Sequence, residues 1–391
     1  MLFFDNRSSI EKILAVILCV LFFFNFRPYF MWDLSNSEYK ISVVLYLVIS
    51  FVYFYFHGLS FSRYRLFGFL FYTLFVLFSA ISSQGISLLN LFTLVIFSLV
   101  FFTPTRIVSL TVIYVTNCYA IMGLVSVVTY FCVVAGLDIS WSELSSLNSV
   151  KEYNYRNYIT LVAYQGGLVP LPNGGFIFRF SGLFDEPGIV GTISALLLAV
   201  NGASFSKWQN KVILLSGILS MSLAFYLLLA ILLMSKISIR IITLSLLILV
   251  VFSIIFPKGS NVILDRYVYD RAYSVIYDTG SVNNRTTDEF DNEFERYIAT
   301  SNILLGEGRG MAEEISNEGF SFKYFIYNYG LVAFLAINFI YIIFSFSSGF
   351  TKNNLVFYVI LSLCLLQRPY YDHISIMLLV LYWSERSRGL D

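Results

Sequence analysis

Five apolar stretches, at about 12–30, 41–56, 65–82, 87–102 and 106–136, follow one another with only short polar breaks. Six more lie at about 187–205, 211–235, 238–256, 320–346, 354–367 and 372–384. Several of these reach the roughly 20 apolar residues that a helix needs to cross a hydrocarbon core. In that solvent every backbone N–H and C=O must be satisfied within the protein, which restricts the chain to few architectures. Composition agrees, since 58% of the residues are hydrophobic and only 13% charged, where soluble domains hold about 25% charged residues. The chain is predicted to be an all-α polytopic integral membrane protein.

A net charge of +1 and the lack of any basic stripe exclude a nucleic-acid partner. Cys19, Cys118, Cys132 and Cys364 all fall inside apolar runs, so the sequence holds no disulfide framework and no zinc spacing. With only His57 and His373 and no Asp-x-Asp, it shows no metal constellation, and no cofactor is expected. The first apolar run leads to Arg27-Pro28 without a small-residue cleavage site, so it is expected to remain as the first helix.

Two long polar interruptions, 137–186 and 257–319, hold more than half of all the charged residues. The second is acidic, with twelve Asp and Glu against six Lys and Arg. Eleven single crossings would put these loops on opposite sides. The positive-inside rule selects a different count. Arg63, Arg65, Arg106, Lys207, Lys211, Lys236, Arg240, Lys352, Arg386 and Arg388 all sit in short connections or near the C-terminus. They share the cytoplasmic side only if 211–235 begins and ends there. Ser216-Gly217, Ser220 and Ser222 mark a bend, so this stretch is read as a re-entrant pair of short helices. The expected organisation has about 12 membrane segments. N-terminal helices cover 1–136 and a first large periplasmic loop 137–186. Central helices with the 211–235 hairpin fill 187–256, a second large loop 257–319, and C-terminal helices 320–391.

The richest local signal is Phe178-Arg179-Phe-Ser-Gly-Leu-Phe-Asp185-Glu186-Pro187-Gly188, where the first loop turns back into apolar sequence. Charges at such a depth cost several kcal/mol unless partnered, which marks them as functional candidates. Pro187 suits the first turn of a helix and puts Asp185 or Glu186 at its N-cap. Two readings stand for the carboxylates, a capped helix start packed through Gly188, Gly191 and Ala195, or a site. Arg179 is either a snorkelling arginine at the headgroups or a bidentate ligand for phosphate. In the second loop, Arg285 precedes an acidic amphipathic stretch and then Leu305-Gly306-Glu307-Gly308-Arg309-Gly310. The glycines resemble a phosphate-cradling loop only in part, since no Lys-Ser/Thr follows. Arg266, Arg271, Arg296 and Arg309 are equally well read as partners for nearby carboxylates.

Arg179-Phe-Ser-Gly-Leu-Phe-Asp-Glu-Pro-Gly188 before a helix resembles the motif of bacterial O-antigen polymerases of the Wzy type, which are similar to O-antigen ligases. In that family an arginine of the second large loop is followed by a helix and a Leu-x-Gly-x-Gly turn. Arg285 and Leu305-Gly306-Glu307-Gly308 follow that order, and Gln367-Arg368-Pro369-Tyr370 is also similar to family sequence.

The resemblance implies a metal-independent glycosyltransferase of the bacterial inner membrane, with its site facing the periplasm. The donor would be a glycan on undecaprenyl diphosphate and the acceptor a repeat unit on the same lipid. Arg179 and Arg285 would hold the diphosphate, and Glu186 would act as base. Asp185, Arg309, Gly306 and Gly308 would contact substrate. Membrane lipids, a chain-length regulator and a flippase are the implied partners. Two alternatives are an O-antigen ligase acting on lipid A-core and a flippase for lipid-linked sugar. The ligases carry a second-loop histidine, whereas Asn317-Glu318-Gly319-Phe320 here has none, and the charges lie outside the bundle without the matched repeats of transporters. Cysteines placed near Ser149 and Asp288 are expected to react with an impermeant thiol reagent from the periplasmic side, and one near Lys236 is not. Labelling at Asp288 only after the cytoplasmic face is opened would overturn the 12-segment topology.

Overall fold

The computed structural model describes residues 6–32, 36–59, 62–82, 88–144, 155–164, 168–170, 176–235, 286–315 and 321–389. The expected span at 238–256 and the candidate Arg285 lie outside these residues. Helices α1 (Asn6–Phe26), α2 (Asn36–His57), α3 (Arg63–Ser82), α4 (Leu88–Phe102) and α5 (Thr105–Val134) precede the first loop. After it come α6 (Pro187–Val200), α7 (Trp208–Leu219) and α8 (Leu223–Met234). The second loop carries α9 (Asp288–Ile298) and α10 (Met311–Ile315), and the chain closes with α11 (Phe322–Ser345), α12 (Lys352–Gln367) and α13 (Ile374–Ser387). Four stretches, Ser9–Phe26, Arg63–Ile81, Thr105–Val134 and Phe322–Ser345, are long and apolar enough to cross a membrane. Shorter apolar helices pack among them, as the run of apolar residues on every face requires.

The described contacts separate the bundle into two ends. At one, buried Arg65 pairs with Glu385 (3.0 Å), Arg106 with Glu11 (3.3 Å), and Arg386 donates to Val200 O. The starts of α1, α3 and α5 therefore meet the ends of α6 and α13. At the other end, Tyr29 N–H donates to Leu183 O (2.8 Å), Ser375 N–H to Asn25 Oδ1 (3.2 Å), and Arg368 pairs with Glu186 (2.6 Å). The end of α1 thus meets the starts of α6 and α13.

Residues 208–234 form two helices broken at Ser220-Met221-Ser222, where Met221 takes φ +48°. Each helix has 12 residues, about 18 Å at the helical rise against a hydrocarbon core of roughly 30 Å. Asn201 Nδ2 donates to Asn210 Oδ1 (3.0 Å), so α7 starts beside the end of α6. Leu232 and Ser235 border the same cavity as Ala199 and Gly202, so α8 finishes there as well. The pair enters and leaves at one end of the bundle.

The all-α expectation needs one addition. The first loop carries five short strands: β1 (Ser142–Leu144), β2 (Tyr155–Tyr158), β3 (Leu161–Tyr164), β4 (Leu168–Pro170) and β5 (Phe176–Phe178). β1-β2-β3 form one antiparallel sheet and β4-β5 a second pair. In the tight β2–β3 turn, Ile159 holds φ +62°, a strained setting for a β-branched residue. Outside contacts impose it, because Tyr29 OH donates to Ile159 O (2.6 Å) and Ser126 Oγ to Thr160 O (2.7 Å). The strands arise because a segment outside hydrocarbon must find its hydrogen bonds locally or in the bundle mouth.

The second loop docks on α11 through a small aromatic core. Thr287 caps α9 by accepting from Phe290 N–H, and Phe290, Phe294 and Tyr297 bury one helix face against Tyr324 and Tyr327. The opposite face is solvated, as read from the sequence, with Arg296 paired to Glu293 while 80% exposed. α11 kinks at Gly330 (φ +82°), which frees carbonyls of its first turns. Tyr297 OH donates to Ile326 O (3.2 Å), Glu307 N–H to Tyr327 O (2.8 Å), and Gly308 N–H to Asn328 O (3.1 Å). Burial pushes the Tyr297 phenol well above its ordinary pKa, so it remains a donor. Gly306 and Gly330 interlock: a Cβ on Gly306 would lie 2.6 Å from Gly330 N, and one on Gly330 2.5 Å from Leu304 O.

Gly330→Ala and Gly306→Ala are each expected to lower stability by more than the ~1–3 kcal/mol of backbone strain alone. Gly310→Ala, at φ +88° with open space around its Cβ, is expected to show only that strain. Thermal unfolding in detergent separates them, and an unchanged midpoint for Gly330→Ala would contradict the interlock.

Candidate functional site

Residues 179–186 take no regular structure, so other elements must satisfy their backbone. Tyr130 OH of α5 donates to Phe178 O (3.0 Å), Phe180 N–H donates to Leu219 O (3.0 Å), and Val162 N–H donates to Gly182 O (2.7 Å). Phe180, Leu183 and Phe184 are buried and pin the segment to the bundle. Pro187 then starts α6 at its first position, and Glu186 is the N-cap residue.

Arg179 is half-buried and donates from Nε to Ser220 O (3.1 Å), the last carbonyl before the α7–α8 break. A cation at a helix C-terminus is electrostatically favourable. The same contact ties the first loop to the turn between α7 and α8. Gly191, one of the small residues expected to allow close packing, does so: a Cβ there would meet Ser222 Cβ at 2.8 Å. The arginine, the helix break and the start of α6 therefore form one unit.

Glu186 occupies the N-cap position, yet its side chain makes no capping bond. It pairs with Arg368 Nη2 at 2.6 Å across a separation of 182 residues. Arg368 ends α12, held extended by the following proline, and its Nη1 donates to Tyr370 OH (3.3 Å). Burial opposes this cation, but Tyr370 and the Glu186 carboxylate outweigh it and hold the guanidinium pKa above its ordinary value. Arg368 Nε is buried without a hydrogen-bond partner. Asp185, adjacent to the pair, is buried as well. Tyr370 stacks on His373 (4.6 Å) and meets Phe26 edge-on (5.4 Å), which seats the 368–373 turn against the end of α1.

The turn continues through Asp372 to His373, the N-cap residue of α13. Tyr72 OH is buried without a hydrogen-bond partner. Tyr341 OH donates to Tyr371 O, and Tyr371 packs on Phe325 (4.8 Å). The Gly308 amide bond to Asn328 O (3.1 Å) sets the neighbouring Arg309 beside the Gly330 kink. Gly306 and Gly308 have another use: their amides donate to Asn302 O and Asn328 O, within the protein. The interlock with Gly330 accounts for the glycine at 306.

The structure therefore brings Arg179, Asp185 and Glu186 to the start of α6, and adds Arg368, Tyr370 and Asp372, which the sequence reading did not assign to a site. The signals pointing there are the likeness of Gln367-Arg368-Pro369-Tyr370 to family sequence and Pro369 as a helix-ending signal after a charged residue. Among the described residues no group of three or more His, Cys, Asp or Glu is placed to hold a metal ion. No protein-family model matches the chain, and neither curated proteins nor solved structures give a match.

Glu186→Gln is expected to destabilise more than Arg368→Gln. The first leaves a cation 11% exposed without its carboxylate, whereas the carboxylate left by the second is 33% exposed and can reach water. Losing one partner of a buried pair costs up to about 3–5 kcal/mol. The double variant should cost less than the sum of the two, as measured by thermal unfolding in detergent. Strict additivity would remove the pair as a coupled unit.

Proposed function

We propose that this protein is a polysaccharide polymerase of the bacterial inner membrane. It would join oligosaccharide repeat units carried on undecaprenyl diphosphate, working on the periplasmic face with about 12 membrane segments. The observation that carries the reading is the convergence of Arg179, Glu186 and Arg368 at the start of α6. α6 has 14 residues, about 21 Å, beside α5 with 30 residues, about 45 Å. A shorter α6 beside α5 supports a start recessed from the membrane surface, at a depth suited to a diphosphate whose lipid tail stays in hydrocarbon.

In this mechanism Arg179 and Arg368, joined by Arg285 from the second loop, stabilise the negative charge that develops on the leaving diphosphate. The incoming anion competes with Glu186 for Arg368, and the released carboxylate takes the proton of the acceptor hydroxyl. The acceptor oxygen bonds to the anomeric carbon, the carbon–oxygen bond to the diphosphate breaks, and lipid diphosphate departs. Asp185 and Arg309 contact the sugars or phosphates. A chain-length regulator and a flippase are the proposed partners.

The test is purified protein supplied with a synthetic lipid-diphosphate repeat unit in EDTA. A ladder of products is expected. A single transfer to a different lipid would indicate a ligase, and transport without growth a flippase. Arg179→Ala and Arg368→Ala should each lower the rate at least about 100-fold, the scale for removing one preorganised donor to a developing charge. Arg179→Lys should recover only part, because the planar fork is lost. Arg296→Ala should be mild, as exposed pairs contribute roughly 0–1 kcal/mol. Full activity in well-expressed Arg179→Ala and Arg368→Ala proteins would overturn the mechanism.

A further inference from the structure

At the end of the bundle away from the candidate site, α6, α8, α12 and α13 enclose a cavity of about 460 Å³. Thr351, Asn353 and Asn354 at the start of α12, Trp383 and Arg386 of α13, and Ser235 after α8 supply its polar wall. Among the described residues no Asp or Glu lines it.

These groups favour an anion. Thr351 caps α12 by accepting from Asn354 N–H (3.2 Å), so the positive end of a 16-residue helix borders the cavity. Trp383 is 8% exposed, and its Nε1 is buried without a hydrogen-bond partner, an unusual state for a buried donor. Arg386 donates from Nη1 to Val200 O, one of the five donors a guanidinium carries. The negative ends of α6, α8 and α13 also come close, but each has a carbonyl already engaged. Val200 O accepts from Arg386, Leu232 O from Ser235 Oγ, and Ser384 O from Ser387 Oγ. The nearby Glu385 is held by Arg65 and Arg388. Lys207 and Lys352 stand at the same end of the bundle, at the starts of α7 and α12.

We infer that this cavity binds the phosphate of an anionic lipid headgroup from the leaflet at the basic end. Leu232, Val356 and Phe357 continue the wall as apolar surface, which suits the glycerol and upper acyl carbons of a lipid better than a free ion. The length of α6 separates this site from the glycan site, so it stands whether or not the glycosyltransferase reading holds.

The experiment uses full-length, lipid-stripped protein in neutral detergent. It is titrated with dihexanoyl phosphatidylglycerol, dihexanoyl phosphatidylcholine or inorganic phosphate, and Trp383 emission is read against a Trp383→Phe control. Phosphatidylglycerol should shift the emission saturably. Arg386→Gln should weaken binding about ten-fold or more, the scale for one charge-assisted hydrogen bond. Ser235→Phe, which fills the cavity without replacing Arg386, should weaken it similarly and covers the case where Arg386→Gln does not fold. Inorganic phosphate binding as tightly as the lipid would overturn the lipid assignment. An equal response to phosphatidylcholine, or unchanged binding in both variants, would overturn the site.

Discussion

Wherever a helix of this protein stops short or bends, another part of the chain must supply the missing hydrogen bonds, because the surroundings are apolar. That requirement organises the bundle. At the α7–α8 break, Ser220 O accepts from Arg179 and Leu219 O from the Phe180 amide. At the Gly330 kink, three carbonyls of α11 accept from Tyr297, Glu307 and Gly308. At the mouth of α5, Tyr130 and Ser126 donate to Phe178 O and Thr160 O. The donors at the first two breaks come from loops, so satisfying the breaks and docking the loops are one event.

The candidate site follows from that arrangement. The first loop is pinned to the helix break, which delivers Asp185 and Glu186 to the start of α6. The second loop is pinned to the kink of α11, which sets Arg309 beside that kink. The short 368–373 turn lies between them, and Arg368 closes the gap by pairing with Glu186. A pair this close, with one partner buried, is a weak source of net stability. Its value is positional, since it fixes an arginine and a carboxylate at the start of α6.

The opposite end is built on different electrostatics. There Glu11 and Glu385 are each engaged, by Arg106 and by Arg65 with Arg388. Among the described residues the other bases at this end are in excess, and Arg65, at 1% exposure, also reaches the carbonyls of Phe101 and Thr103. One end of the bundle thus holds acids and bases in contact around a backbone turn, and the other a surplus of cations around a polar cavity.

Sequence alone determined the solvent, most helix positions and the place of the 211–235 bend, because apolar length and local breaks are properties of contiguous residues. It also singled out Arg179, Asp185 and Glu186, since charges beside an apolar run are conspicuous without knowing what they touch. The strands at 142–178 were not legible: short pairings take their stability from what they cover, here the mouth of α5 and the turn after α1. The packing of Gly306 against Gly330 was not legible for a related reason, because a glycine-rich turn looks the same in sequence whether or not it approaches another backbone. Above all, Arg368 and Glu186 stand 182 residues apart, and no spacing rule connects such positions. Only the packing of α12 against α6 decides that the cation meets the carboxylate.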